Sequence, residues 1–138
     1  MPPDRPKTGS SEDWLKRARS NLARAKLPKL EEALWEDYCF DAQQAAEKAL
    51  KALLLFNKIP FRFVHDIAEL LTLLEQNGFE LPEEIRAGAE LSEYAVEARY
   101  PSPMEPVTEQ EYDEAIATSE QIVSWVTQNL ANKKTSKR

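Results

Sequence analysis

Between Glu31 and Phe56 the chain runs 26 residues without a glycine or a proline, and this run constrains the fold more than any other. Leu34, Tyr38, Ala42, Ala45, Ala49, Leu53 and Phe56 recur at helical spacing and form one apolar line. Trp35, Cys39, Ala46, Leu50 and Leu54 form a second. A helix that is apolar on two sides cannot lie on the surface of a small domain, so it must be the central member of a bundle. Its many alanines let neighbouring helices approach closely. The polar stripe that remains, Asp37, Asp41, Gln44, Glu47, Lys48 and Lys51, falls within a narrow arc at 100° per residue. Asn57-Lys58-Ile59-Pro60 breaks the pattern.

The flanking segments supply partners for that helix. Ser10 or Ser11 can cap a first helix carrying Glu12 and Asp13 in its first turn and an apolar line of Trp14, Ala18, Leu22 and Ala25, closed by Pro28. Asp66-Ile-Ala-Glu69 has the spacing of a capping box, followed by Ile67, Leu70, Leu71 and Leu74 on one face and Gly78 as a stop. Pro82, with Glu83 and Glu84 behind it, predicts a fourth helix through Ile85, Leu91, Tyr94, Ala95 and Ala98 to Tyr100-Pro101. Thr108-Glu-Gln-Glu111 is a second capping box. It opens a fifth helix whose buried face is Tyr112, Ala115, Ile116, Ser119, Val123, Val126 and Leu130. No alternating segment competes with these. The expected architecture is all-α, an antiparallel up-and-down bundle of four to five helices. The expected layout is a disordered tail over 1–9, a helical domain over 10–131 and a basic tail over 132–138.

Composition removes many functions. Three glycines (Gly9, Gly78 and Gly88) cannot be written into a phosphate-binding loop or a dinucleotide fingerprint. One cysteine excludes an internal disulfide framework, and one histidine excludes a His-rich metal site, so no metal or other cofactor is expected. No apolar run approaches a membrane span and no signal peptide is visible, which predicts a cytoplasmic protein. The formal charge of −6 is unevenly spread: residues 1–30 sum to +5, 31–130 to −15 and the last eight to +4. An acidic body is a poor general nucleic-acid binder, and basic ends are ordinary on terminal helices.

Alternating helix directions would bring the end of the second helix, the start of the third, the end of the fourth and the start of the fifth to one end of the bundle. That end would collect Lys58, Arg62, His65, Arg99 and Tyr100, beside Asp66. Cations, an imidazole and a phenol next to a helix N-terminus suit a phosphate oxyanion. They also suit metal-free RNA cleavage, with His65 as acid/base and Arg62 or Arg99 on the phosphate. The ordinary alternatives are a His65 packed at a helix entry, an Asp66 that only caps, and an Arg99 paired with Glu97 or Glu105. Likewise the Gln44, Lys48 and Lys51 stripe is either a wet face with i,i+4 pairs such as Glu47 to Lys51, or a subunit interface.

These residues resemble a known family. The run from Tyr38 to Leu54, with QQAAEKALKALL over 43–54, looks like the signature of the HEPN (higher eukaryotes and prokaryotes nucleotide-binding) domain. His65-Asp66-Ile67 before a leucine-rich helix is similar to that family's HDL motif, and Tyr94 followed by Arg99-Tyr100-Pro101 to its ARYP motif. The Trp14, Ala18, Leu22 and Ala25 helix fits as well, so the likeness covers about residues 12–128. The resemblance implies an up-and-down bundle, usually a homodimer, often paired with a small nucleotidyltransferase encoded nearby. Some relatives, toxins of toxin–antitoxin pairs among them, are metal-independent ribonucleases carrying Arg, four to six residues, then His. Here Arg62 is separated from His65 by two residues, and with six residues between it and His65 stands Lys58, which lacks the bidentate fork of arginine. Position 67 is isoleucine, where some toxins carry a modifiable tyrosine. The expectation is therefore a non-catalytic nucleotide binder or a substrate-binding or regulatory partner of a nucleotidyltransferase. His65, Asp66, Arg99, Tyr100, Arg62 and Lys58 form its site, with Gln44, Lys48 and Lys51 as the surface for a partner. A ribonuclease and a protein–protein scaffold are the alternatives.

Overall fold

The computed structural model describes residues 8–62, 65–97 and 106–136. Helix α1 spans Ser11–Ala25, α2 Trp35–Phe56, α3 Ile67–Gln76, α4 Glu83–Arg86, α5 Glu93–Glu97 and α6 Glu109–Ser136, with a 3₁₀ segment over Ala87–Ser92 between α4 and α5. No strand occurs among the described residues, and the architecture is all-α. No helix among them is long and apolar enough to cross a membrane.

Helix α2 is the axis, packed along both α1 and α6, which also touch each other, with α3 and α5 against the remainder. Cys39, Ala42, Ala45, Ala46, Ala49, Leu50, Leu53 and Leu54 are buried, so both apolar lines are used. Serine and tyrosine hydroxyls fasten the long helices across this core. Ser119 Oγ donates to the Ala42 carbonyl at 2.7 Å and Tyr112 Oη to that of Ala25 at 2.6 Å. Ile122, outside the expected α6 face, is fully buried.

The helix ends follow their capping chemistry, with instructive departures. Ser10 Oγ accepts from Asp13 N, and Thr108 and Glu111 close a complete capping box in both directions. The box at Asp66 is only half formed. Asp66 Oδ1 accepts from Ala68 N at 3.0 Å, while Glu69 turns away to pair with Arg62. Helix α2 begins at Trp35, later than expected, because Leu30 gives its N–H to Tyr38 Oη and a turn closes from Ala33 N to Leu30 O. Leu34, expected on the core line, is consequently extended and exposed. The fourth expected helix is broken by the 3₁₀ segment. Gly88 there lies so close to α6 that a Cβ would stand 2.3 Å from Ile122 Cδ1, and a larger residue would have to displace the end of that side chain.

Two helices end in the same left-handed motif. After α3, Phe79 N donates to Leu74 O and Gly78 N to Glu75 O, with Gly78 at φ 92°. After α2, Ile59 N donates to Leu54 O and Lys58 N to Leu55 O, with Lys58 itself at φ 57°. A lysine accepts this conformation at some cost, and the turn it makes sends the chain back along α2.

Candidate functional site

The returning chain delivers the lone histidine to the middle of α2, not to the end of the bundle. His65 Nδ1 lies 2.9 Å from Glu47 Oε1 and 3.2 Å from Oε2. Glu47 stands nine positions before the last residue of α2, about 13 Å along the axis at the helical rise. Lys58 sits in the turn at the helix end, so it stands apart from the His65–Glu47 contact.

Glu47 is the centre of a buried polar network. It is 2 % exposed and Lys51 is 4 % exposed. Lys51 Nζ donates to Glu47 Oε2 at 2.9 Å, Gln43 Nε2 to Glu47 Oε1 at 2.9 Å, and Gln44 Nε2 to Gln43 Oε1 at 2.7 Å. The Lys51 ammonium lies 5.6 Å from the Trp14 ring centroid and 5.8 Å from that of Phe61, so α1 and the returning chain both cover it. Burial pushes the Glu47 carboxyl up, but hydrogen bonds from Lys51, Gln43 and His65 more than reverse this and hold it below its ordinary value. The carboxylate is therefore charged at neutral pH. Among the described residues no buried side-chain nitrogen or oxygen lacks a partner.

This geometry corrects the sequence expectation for the polar stripe. Glu47 and Lys51 do pair at i,i+4, but inside the protein and not on a wet face. Gln44 and Lys51, expected as partner surface, are buried within the chain's own fold. Lys48 is half-buried and donates to Asn21 Oδ1 of α1 at 2.8 Å. Burial pushes its ammonium below the ordinary lysine value. Trp14 and Phe61 lie over Lys51, and Asn21 of α1 takes up Lys48 and Asp41, while Asp37 stays exposed.

With Nδ1–H given to the carboxylate, the histidine ring is oriented and Nε2 is left as its second functional atom. The His65 side chain is 47 % exposed, so ligands can reach it. Arg62, exposed, gives Nε and Nη2 to the Glu69 carboxylate, which holds that carboxyl below its ordinary value. Asp66 is occupied as the α3 cap, and Ser92 Oγ accepts the next free N–H, that of Ile67, at 2.8 Å. Arg99 and Tyr100 lie outside the described residues. No group of His, Cys, Asp and Glu side chains suited to a metal ion occurs among the described residues.

Sequence reasoning missed Glu47 as the partner of His65, together with Gln43, Trp14 and Phe61. The i,i+4 spacing of Glu47 and Lys51 was the available signal; nothing local linked either to a histidine 18 positions away.

Residues 11–130 match the family profile described as the HEPN domain. The fold superimposes on TT1696 from Thermus thermophilus with a TM-score of 0.75 and 34 % identity, covering 86 % of this chain and 96 % of that one. It also matches ST0689, an archaeal HEPN homologue, with a TM-score of 0.71 and 32 % identity over 88 % of this chain and 98 % of that one. A HEPN domain protein from Thermotoga maritima shares the fold at 23 % identity and a TM-score of 0.54, covering 88 % of this chain and 93 % of that one. Among curated proteins none matches. A bundle built on the QQAAEKALKALL helix, matched from the first turn of α1 into the second half of α6, makes this chain a member of the HEPN domain family.

Proposed function

We propose that the chain binds a nucleotide through its phosphates at His65, and serves as the substrate-binding or regulatory partner of a nucleotidyltransferase. The observation that carries this reading is the His65–Glu47 contact. A buried carboxylate fixes one ring nitrogen and leaves the other at a half-exposed position. Protonated, the imidazole donates its Nε2–H to a phosphate oxygen without reorganising. Arg62, three positions earlier, is exposed and among the described residues pairs with the partly exposed Glu69 carboxylate, so its fork can exchange Glu69 for a phosphate.

Isothermal titration of the purified chain with nucleoside mono-, di- and triphosphates tests the binding. Saturable heat with the wild type, and at least a roughly tenfold weaker constant for His65→Ala, is the expected outcome. Flat titrations for every nucleotide would sink it. Co-purification from the native cell then tests the partner, with recovery of a nucleotidyltransferase expected.

One observation favours a second reading, a metal-independent ribonuclease: a carboxylate-oriented histidine is the usual arrangement of a general base. That reading requires RNA cleavage in the presence of chelator, abolished by His65→Ala. The spacing of Arg62, with two residues between it and His65 where the ribonuclease relatives have four to six, weighs against it.

A further inference from the structure

Three kinds of chemistry are open to an exposed imidazole nitrogen: taking a proton, ligating a metal ion and attacking an electrophile. The surroundings of His65 decide among them. Glu47 is charged at neutral pH and a carboxylate only accepts, so His65 Nδ1, at 2.9 Å and 3.2 Å from its two oxygens, carries a hydrogen. In the neutral ring the lone pair then sits on Nε2. An unconstrained imidazole favours the opposite tautomer, in which that nitrogen is capped by hydrogen. Among the described residues nothing hydrogen-bonds Nε2, and the side chain is half-exposed.

The carboxylate that sets this tautomer cannot turn away. Its Oε1 is held by Gln43 Nε2 at 2.9 Å as well as by His65, and its Oε2 by Lys51 Nζ at 2.9 Å. Lys51 is in turn covered by Trp14 and Phe61. When Nε2 attacks an electrophile, positive charge spreads over both ring nitrogens, and a buried carboxylate already placed at Nδ1 stabilises it without reorganising. Metal ligation lacks further donors, since no suitable group of His, Cys, Asp and Glu occurs among the described residues. Attack needs no second catalytic side chain, because the lone pair is free and no proton has to leave the ring.

A phosphoryl group suits this nitrogen. Its transfer passes through a loose transition state, so positioning and charge are nearly all that the protein must supply. A donor that itself holds phosphorus on nitrogen makes the exchange nearly isoenergetic. We infer that His65 Nε2 is a phosphoryl acceptor, taking its phosphoryl group from a phosphoramidate while Glu47 holds Nδ1. The Nε2 lone pair forms the new N–P bond. The donor's P–N bond breaks with its electron pair going to the leaving nitrogen, which departs as a neutral amine because the donor carries it protonated. The phosphohistidine of a second protein is the biological member of this donor class. No nucleotide is needed, so this site stands or falls apart from the nucleotide reading above.

Incubation of the full chain with potassium phosphoramidate at neutral pH tests it, and the single histidine keeps the readout clean. Intact mass should show one added phosphoryl group, stable in alkali, lost in acid and absent from His65→Asn. Phosphorus NMR should place it on Nε2, formed about tenfold faster than on N-acetylhistidine. Glu47→Gln should fall to the N-acetylhistidine rate. Gln43→Met, which keeps the Glu47–Lys51 pair, should lie between the two and serves where Glu47→Gln does not fold. Two-bond proton–nitrogen NMR spectra of the wild type should show the Nδ1–H tautomer. A rate no higher than that of N-acetylhistidine, an adduct on Nδ1, a predominant Nε2–H tautomer, or a rate unchanged in the folded variants would each overturn the assignment.

Discussion

Helix α2 carries two polar clusters on adjacent parts of its surface, and they are held by different physics. The inner one, Gln43, Glu47 and Lys51 with His65 at its rim, is roofed by Trp14 and Phe61. In the outer one, Lys48 Nζ donates to Asn21 Oδ1, Asn21 Nδ2 to Asp41 Oδ1 at 3.0 Å, and the exposed Arg24 guanidinium pairs with Asp41 at 3.0 Å. Both join α2 to α1. In the inner cluster the two buried charges depend on each other, because neither can fall back on solvent. In the outer cluster Asn21 is buried and Lys48 and Asp41 are half-buried, so water replaces part of what a substitution removes there and most of it only at the exposed Arg24. Two charged residues only one position apart, Glu47 and Lys48, therefore differ in what their loss should cost.

The largest expected effect is Glu47→Ala, which leaves Lys51 buried without its carboxylate and frees His65 to swing. Urea unfolding should show a loss of about 3–5 kcal/mol. Pairing it with Lys51→Met should recover a large part of that loss; if the double variant is no better than the single one, the uncompensated ammonium is not the cause. The same carboxylate predicts a pH dependence. Its folded pKa lies below the unfolded one, so its contribution is fully present above the unfolded carboxylate value and is lost as pH falls through the folded one. The stability gap between wild type and Glu47→Gln should therefore be widest at neutral pH and narrow on acidification. A gap that is flat with pH would show that the pair is held by packing alone. Lys48→Met, in the outer cluster, should cost about 1–3 kcal/mol, because it leaves the buried Asn21 Oδ1 without its donor. If it costs as much as Glu47→Ala, the division between the clusters fails. Smallest is Arg24→Ala, expected within about 0.5 kcal/mol and fading with added salt.

The same contrast explains what local pattern can and cannot reveal. The elements are legible because their signals are local. Apolar lines at helical spacing identify α2 and α3. Ser10 and the Thr108–Glu111 box start their helices where the spacing places them, and Gly78 stops α3. The stripe on α2 misleads because exposure is decided by what packs over a residue, and Trp14 and Phe61 come from 37 positions before and 10 after Lys51. Asp66 and Glu69 have capping-box spacing, yet Arg62 competes for the glutamate and wins. The lone histidine stands out as a residue of interest, but its expected location assumes that helices begin where their predecessors end. The left-handed turn at Lys58 breaks that assumption, and the imidazole is carried back along α2 to a partner that no spacing rule connects to it.

That turn also makes the stretch from Lys58 to His65 a ruler. Its origin is pinned by the two hydrogen bonds that close the end of α2, and its far mark is pinned by Glu47. One residue added between Pro60 and Phe61 would move the far mark off its carboxylate without disturbing the helices on either side. The length of this connection should thus be as intolerant of change as the identity of the histidine it measures out, although Lys58, Pro60 and Arg62 along it face water.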